Sequence, residues 1–294
     1  MRILVTGAAG YIGSALVRAL LKEGEVLAVD QSTPAAGTPL VGNLAYPQFT
    51  RALVTPEVDA VFHLASLVSG GAEQNFELGT KVNLDATRDL LEACRLAGHR
   101  PKFVFASSIA VYGGRIPDPV SDETPPSPRL SYGAQKLVCE ILIADYTRRG
   151  YLDGCSLRLP TVMVRPGSAN TAVSGWASAI IREPLAGRDY VCPVHPDTRM
   201  ACISLRRVVD AFIRASSMKG TFLLPGISVS AQQMWNAVKD RAKGKVKFAP
   251  DERLQKIMDA VPKATVSQHG FKGSASIEEI VAEYEEEAAL SNHG

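Results

Sequence analysis

The sequence predicts an α/β fold, a doubly wound parallel sheet with a small C-terminal lobe. Three observations carry that prediction. An apolar run at 3–5 passes through a glycine-rich turn into a helical pattern marked by Leu16, Val17, Leu20 and Leu21. Further apolar runs at 26–29, 58–64 and 102–108 have the length and continuity of buried parallel strands. Helical patterns over about 76–97 and 131–149 separate them, the alternation expected of strand-helix-strand units.

Length and composition set the bounds. The 294 residues suit one large α/β core with a smaller lobe. A net charge of +2 with no basic stripe excludes nucleic acid as a partner. No apolar segment is long enough to span a membrane, so no membrane partner is expected. The apolar start is not a signal peptide, because its glycines and Arg18 belong to the strand-turn-helix unit. Cys94, Cys139, Cys155, Cys192 and Cys202 are odd in number and lack CxxC spacing. They read as reduced thiols of a cytoplasmic protein, and no metal site is expected.

The first unit reads GAAGYIG over 7–13. Gly7, Gly10 and Gly13 supply a tight turn, a close backbone approach to a pyrophosphate and close packing of helix on strand. The N–H groups at the helix start, around Tyr11 and Ile12, face the anion. Gly24 stops the helix, and the next strand ends on Asp30, placed to accept hydrogen bonds from an adenosine ribose diol. The pattern is that of a Rossmann-type dinucleotide site. Asp30 is followed by Gln31 with no nearby Arg or Lys, which favours NAD over NADP as the cofactor.

Beyond Asp30, residues 31–40 read as a loop, and a third strand is expected to end near Gly42, Asn43 and Leu44. The strand VDAVFHL ends at Leu64 and opens onto ASLVSGG, where Ala65 and Ser69 lie beyond its carboxyl end. The helix over 76–97 carries Asn83, and the strand KFVFASS over 102–108 is expected to be buried. Five prolines within 117–129 impose an irregular excursion. The helix over 131–149 is expected to pack through Leu137, Ile141, Leu142 and Tyr146. Near the C-terminus, helices are expected at 204–215, at 230–242 with Ser230 as N-cap, and after Ser276 in capping-box form. A strand is expected at 221–224, and the glutamate run 283–287 reads as a solvated helix end.

Tyr132 and Lys136 stand four apart on their helix and share one face. A tyrosine has a pKa of ~10 in water, and a neighbouring ammonium stabilises the phenolate. Such a pair removes a hydroxyl proton while a nicotinamide takes a hydride. Ser108, at the end of its strand, is the candidate donor to the same oxygen, with Ser107 the alternative.

The GxxGxxG turn, the segment SSIAVYG over 107–113 and the Tyr-x-x-x-Lys pair together resemble the extended short-chain dehydrogenase/reductase family, of epimerase/dehydratase type. The resemblance implies catalytic roles for Ser108, Tyr132 and Lys136, with Lys136 also holding the nicotinamide ribose. It implies that Asn43 stands where the family usually has an acid against adenine, and that Asn83 supports the cofactor or a proton relay. NAD is the implied cofactor, with NADP the alternative. Family 4,6-dehydratases place an Asp-Glu pair where this chain has Ile109 and Ala110, so dehydration is disfavoured. Epimerases carry an aromatic-Asn pair where Pro160 and Thr161 stand.

Three stretches, HLASLVSGGAEQNFELGTKVN, LRLPTVMVRPGSAN and IIREPLAGRDYVCPVHPDTR, are similar to the D-erythronate dehydrogenase group within that family. This implies oxidation of a C2 hydroxyl in a four-carbon sugar acid. A small hydroxy acid needs a carboxylate clamp, for which Arg165, Arg182 and Arg199 are candidates, Arg199 the favoured one. Ser69 and Thr161 are further substrate candidates, while Pro160 and Val162 are expected to wall the nicotinamide. The expected division is a cofactor core over 1–164, with 200–224 returning to it, and a substrate lobe over 165–199 and 225–294. Family habit adds a homodimer. The rival readings are a nucleotide-sugar epimerase with retained NAD and a non-catalytic NAD(P)-sensing protein.

Overall fold

In a computed structural model that describes residues 1–167 and 172–291, two compact units emerge. The first comprises 1–111, 128–159 and 209–222; the second comprises 112–127, 160–208 and 223–294. The proline-rich excursion and residues 160–164 and 200–208 thus cluster with the second unit, where the sequence assigns all three stretches to the core.

The first unit opens with β1 (Arg2–Thr6), α1 (Tyr11–Leu20), β2 (Glu25–Asp30), β3 (Thr38–Val41), α2 (Pro47–Ala52) and β4 (Ala60–His63). It continues through α3 (Ser69–Gln74), α4 (Phe76–Gly79), a π-helix (Thr80–Asp85), α5 (Ala86–Ala97) and β5 (Lys102–Ser108). A 3-10 turn (Ile109–Val111), α6 (Ser131–Arg148) and β6 (Asp153–Leu159) follow. With β10 (Gly220–Leu223) these strands make one seven-stranded sheet in the order β10-β6-β5-β4-β1-β2-β3. Pairing is parallel from β3 through to β6. The order turns outward in both directions from β1 and β4, which is the switch point where such sheets bind ligands. Leu4, Val29, Val61, Leu90, Phe103 and Phe105 are buried in its core, each worth about 1.5–3 kcal/mol of apolar burial.

Four local features differ from the sequence reading. The third strand forms at Thr38–Val41, inside the expected loop, because edge pairing with β2 tolerates Pro39. A short helix, α3, occupies the small-residue segment after β4. The long helix over 76–97 is broken around Asn83 by one π turn. The packing stripe of α6 is met only in part: Leu142 and Tyr146 pack against the core, Ile141 is 61% exposed, and Gly133, Gln135, Lys136, Cys139, Glu140 and Ile143 are buried. Among these inward polar groups, Gln135 Oε1 and Glu140 are paired with distant segments, while Gln135 Nε2 has no hydrogen-bond partner among the described residues.

The second unit contains β7 (Thr161–Met163), α7 (Gly175–Leu185), β8 (Tyr190–Cys192), β9 (Arg199–Ser204) and β11 (Ile227–Ser230). Short α9 (Ala231–Asn236), β12 (Val246–Phe248), α10 (Glu252–Asp259) and α11 (Ile277–Ser291) complete it, and α8 (Leu205–Ala215) runs from this unit into the first. Its sheets are β11-β9-β7 and β12-β8. Ser230 caps α9 in a capping box with Gln233, though the helix is shorter than its sequence pattern. Ser276 accepts the Glu279 N–H at the start of α11. Glu283, in the glutamate run expected to face solvent, is buried where its charge acts on Arg206. No described helix is long and apolar enough to cross a membrane.

Candidate active site

The glycine turn has no room for side chains. Gly7 adopts φ +73°, and a Cβ there would stand 2.7 Å from the Ala65 nitrogen. A Cβ on Gly13 would stand 2.0 Å from the Gly7 carbonyl oxygen. Gly10 begins α1 with no side-chain cap, which leaves the helix start to a ligand anion. Tyr11 and Ile12, half-buried, occupy its first turn. Asp30 ends β2 facing this turn: one carboxylate oxygen accepts the Ala9 N–H at 3.0 Å and the other the Ser32 N–H at 3.2 Å. Leu64 and Ala65 lie beside Gly7, so the turns after β1 and β4 meet at the switch point. This shape fits a dinucleotide: an uncapped helix start, three glycines without Cβ atoms in the turn and a carboxylate at the end of the second strand.

Other expected cofactor positions have local partners. Asn43 Oδ1 accepts the Ala45 N–H at 2.8 Å. The Leu44 side chain belongs to the core, and its carbonyl accepts Thr50 Oγ1 at 2.8 Å. Ser69 is buried at the first turn of α3. Asn83 clamps the Leu67 backbone, accepting its N–H at 2.7 Å and donating to its carbonyl at 3.0 Å. The same Nδ2 donates to Gln135 Oε1 at 2.7 Å, tying this segment to α6.

Tyr132 and Lys136 approach each other on α6, whose start seats on the turn after Ser108. Lys136 is 1% exposed, its Nζ 4.5 Å from the centroid of Phe105 and 5.5 Å from that of Tyr132. The four-residue spacing therefore does put the ammonium on the tyrosine ring. Ser108 Oγ accepts the Ala110 N–H at 3.1 Å, while the Ser107 hydroxyl donates to buried Glu140. Ser107 is thereby engaged away from a ligand, and Ser108 keeps its hydrogen. Glu140 stands one turn beyond Lys136 and takes a two-pronged ion pair from Arg158 at 2.7 Å and 3.0 Å. The Glu73 carboxylate accepts the Ser131 N–H at the start of α6.

Sequence reasoning passed over several of these residues. Gly133 is one: its Cβ would stand 2.0 Å from the Ala110 carbonyl oxygen, so only glycine lets α6 seat on the turn after Ser108. A glycine inside a helical pattern is a visible signal for it. Arg158 between Leu157 and Leu159, and Glu140 four residues after Lys136, are visible signals for the pair.

The remaining expected positions belong to the second unit. Pro160 is buried, and Thr161 and Val162 are half-buried on β7. The three arginines differ. Arg199 is exposed at the start of β9. Arg182 is 5% exposed, donates to Glu183 at 2.8 Å and holds the Arg165 carbonyl at 2.9 Å. Arg165 is half-buried, and its N–H donates to Ser178 Oγ at 3.0 Å. Residues 168–170 of the stretch LRLPTVMVRPGSAN lie outside the described residues. Among the described residues no group of three His, Cys, Asp or Glu could hold a metal ion.

Comparisons with known proteins bear on the family and the fold. The family model for the NAD dependent epimerase/dehydratase family matches residues 3–221. A D-erythronate dehydrogenase of Cupriavidus necator is 40% identical, covering 99% of this chain and 100% of that protein. A D-erythronate dehydrogenase of Haemophilus influenzae is 37% identical over 97% of this chain and 98% of its own. A crystal structure described as a nucleoside-diphosphate-sugar epimerase from Agrobacterium tumefaciens superposes with a TM-score of 0.90 at 34% identity. It covers 98% of this chain and 95% of that one.

Proposed function

The chain belongs to the NAD dependent epimerase/dehydratase family, and on that footing we propose that it oxidises a secondary hydroxyl of a small sugar acid, D-erythronate to 2-oxo-D-erythronate or a near relative, with NAD. The observation that carries this reading is the buried Lys136 ammonium set over the Tyr132 ring, in a chain similar over its full length to two D-erythronate dehydrogenases.

In this reading Gly7, Gly10, Tyr11, Ile12 and Gly13 hold the pyrophosphate, and Asp30 the adenosine ribose. Asn43 and Leu44 border adenine; Leu64, Ala65, Ser69, Asn83, Pro160 and Val162 border the rest of the dinucleotide. The bound dinucleotide supplies the hydride acceptor. Tyr132, as phenolate, removes the hydroxyl proton, and the Lys136 ammonium stabilises that phenolate. Ser108 donates to the same oxygen with the hydrogen its contact with Ala110 leaves over. Thr161 and Ser69 are assigned to the substrate, and its carboxylate to Arg165 or Arg199. Arg182 is assigned to holding the Arg165 peptide, given its two existing partners.

The test is direct: enzyme, NAD and D-erythronate at alkaline pH should give NADH by its absorbance. Silence with every four- to six-carbon aldonate and uronate would overturn the reading. The second reading, a nucleotide-sugar epimerase that retains its NAD, is favoured by the description of the Agrobacterium structure. It predicts sugar-nucleotide turnover with no net NADH. We also assign a homodimer in the cytoplasm, which sedimentation and cell fractionation check.

A further inference from the structure

His63 ends β4 fully buried, with its ring tilted against Phe103 and Phe105, and no step above uses it. Each ring nitrogen meets a threonine hydroxyl. Nδ1 lies 2.6 Å from Thr6 Oγ1, and Nε2 lies 2.9 Å from Thr87 Oγ1. The outer ends of this chain are fixed as well. The Ala65 N–H donates to Thr6 Oγ1 at 3.3 Å, and Thr87 Oγ1 donates to the Asn83 carbonyl at 2.8 Å.

These partners determine the tautomer. A hydroxyl has one hydrogen. The hydrogen of Thr87 goes to Asn83, so Thr87 can only accept from the ring, and Nε2 must carry the proton. A neutral ring then has a bare Nδ1, which accepts the hydrogen of Thr6, while the oxygen of Thr6 accepts from Ala65. Every donor is used once and the chain runs in one direction, from the Ala65 peptide to the Asn83 carbonyl. A proton on Nδ1 would aim two donors at Thr6 and strand its own hydrogen in a buried site. Burial first, and then the Lys136 charge, push the His63 pKa down to about 3, so the ring stays neutral.

The ends of the chain lie at the cofactor positions assigned above. Thr6 immediately precedes Gly7, whose backbone abuts Ala65. Asn83 clamps Leu67 and reaches Gln135, the neighbour of Lys136 on α6. We propose that His63, held as the Nε2–H tautomer, is a positioning residue for the dinucleotide. It locks the glycine turn, the turn after β4 and the π-helix into one frame. The proposal rests on the NAD reading and is independent of the substrate.

The experiment uses the full chain with labelled histidine ring nitrogens. His63 should show the Nε2–H tautomer and no titration between about pH 5 and 9. An Nδ1–H tautomer or a titration in that range would overturn the proposal. NAD binding by calorimetry adds a second readout. A glutamine amide offers an acceptor oxygen and a donor NH2 group for the two threonines, whereas phenylalanine fills the space between Phe103 and Phe105 but leaves the Thr6 hydrogen without its acceptor and the Thr87 oxygen without its donor. His63→Gln should keep the NAD dissociation constant within about threefold of wild type, and His63→Phe should weaken it about tenfold or more. A purely packing role predicts the reverse order, and that result would also overturn the proposal. If neither variant folds, the wild-type ring spectrum still decides. Neither readout needs a sugar acid, so failure of the D-erythronate test and failure here are separate results.

Discussion

Helices α6 and α7 each bury a cation, and the two cations are held in opposite ways. On α7, Arg182 is saturated by Glu183 and by the Arg165 carbonyl. On α6, Lys136 is buried more deeply, yet among the described residues no carboxylate pairs with it; its ammonium rests on the faces of Phe105 and Tyr132. The carboxylate one turn away, Glu140, is already matched by Arg158. A buried cation with full partners fixes a backbone. One held by ring faces alone keeps its donors for something that arrives later, and cation–π contacts of about 2 kcal/mol make that tolerable.

The difference is sharpest in a pair of substitutions. Tyr132→Phe removes the group assigned as base and should lower turnover by about a thousandfold, within the range general-base catalysis contributes. NAD affinity should stay near wild type by calorimetry, and the melting temperature should barely move. Retained turnover would remove Tyr132 from the chemistry and, with it, the distinction drawn between the two cations.

Glu140→Gln comes next. It leaves Arg158 buried without its counter-charge, which costs about 3–5 kcal/mol for a pair this enclosed. Replacing both, Glu140→Leu with Arg158→Met, should restore much of that stability in urea denaturation. No recovery in the double variant would mean that the Ser107 hydrogen bond, and not the ion pair, is the main contribution of Glu140. Arg182→Met should cost less, about 1–3 kcal/mol, because Glu183 keeps Arg188 as a partner and the main loss is the bond to the Arg165 carbonyl. A thermal melt reads that loss. A collapse in kcat with an unchanged melt would instead make Arg182 a group that meets substrate.

The same contrast explains what could be read from the sequence. The glycine turn, Asp30 and the Tyr132–Lys136 spacing were legible because each is local: a few residues set a turn or one helix face. The inward face of α6 was not. Periodicity assigns apolar residues to the core, and Leu142 and Tyr146 do pack against it, but Ile141 faces outward. The side that packs carries Gln135, Lys136 and Glu140, whose partners Asn83, Phe105, Ser107 and Arg158 come from other strands and helices. No window along the chain contains both halves of such a pair. The bond from Arg182 to the Arg165 carbonyl was hidden for the same reason: an arginine near the assigned substrate segment looks the same in sequence whether it meets a ligand or a carbonyl. The third strand was expected to end near Gly42, but Gly37 and Pro39 made its start read as loop, since only pairing with β2 defines it.

Acid titration separates the surroundings of the two cations gradually, over several pH units. Behind Lys136, folded His63 resists protonation down to about pH 3, whereas in the unfolded chain it takes a proton near its ordinary value of 6.5. Between those values unfolding takes up a proton, so the stability His63 contributes is complete above pH 6.5 and drains away as pH falls. The slope is at most about 1.4 kcal/mol per pH unit. Beside Arg182, burial alone would raise the Glu183 pKa, but hydrogen bonds from Arg188 and Arg182 outweigh it and hold the carboxyl below its ordinary 4.5. Its contribution is therefore intact above that value and is lost only as pH falls through the lowered one. Any decline of the urea midpoint that begins below pH 6.5 and is absent from His63→Gln belongs to the surroundings of Lys136. Equal declines in the two proteins between about pH 6.5 and 5 would show that His63 is not held neutral on folding, and the α6 side would then be no more acid-sensitive than the α7 side.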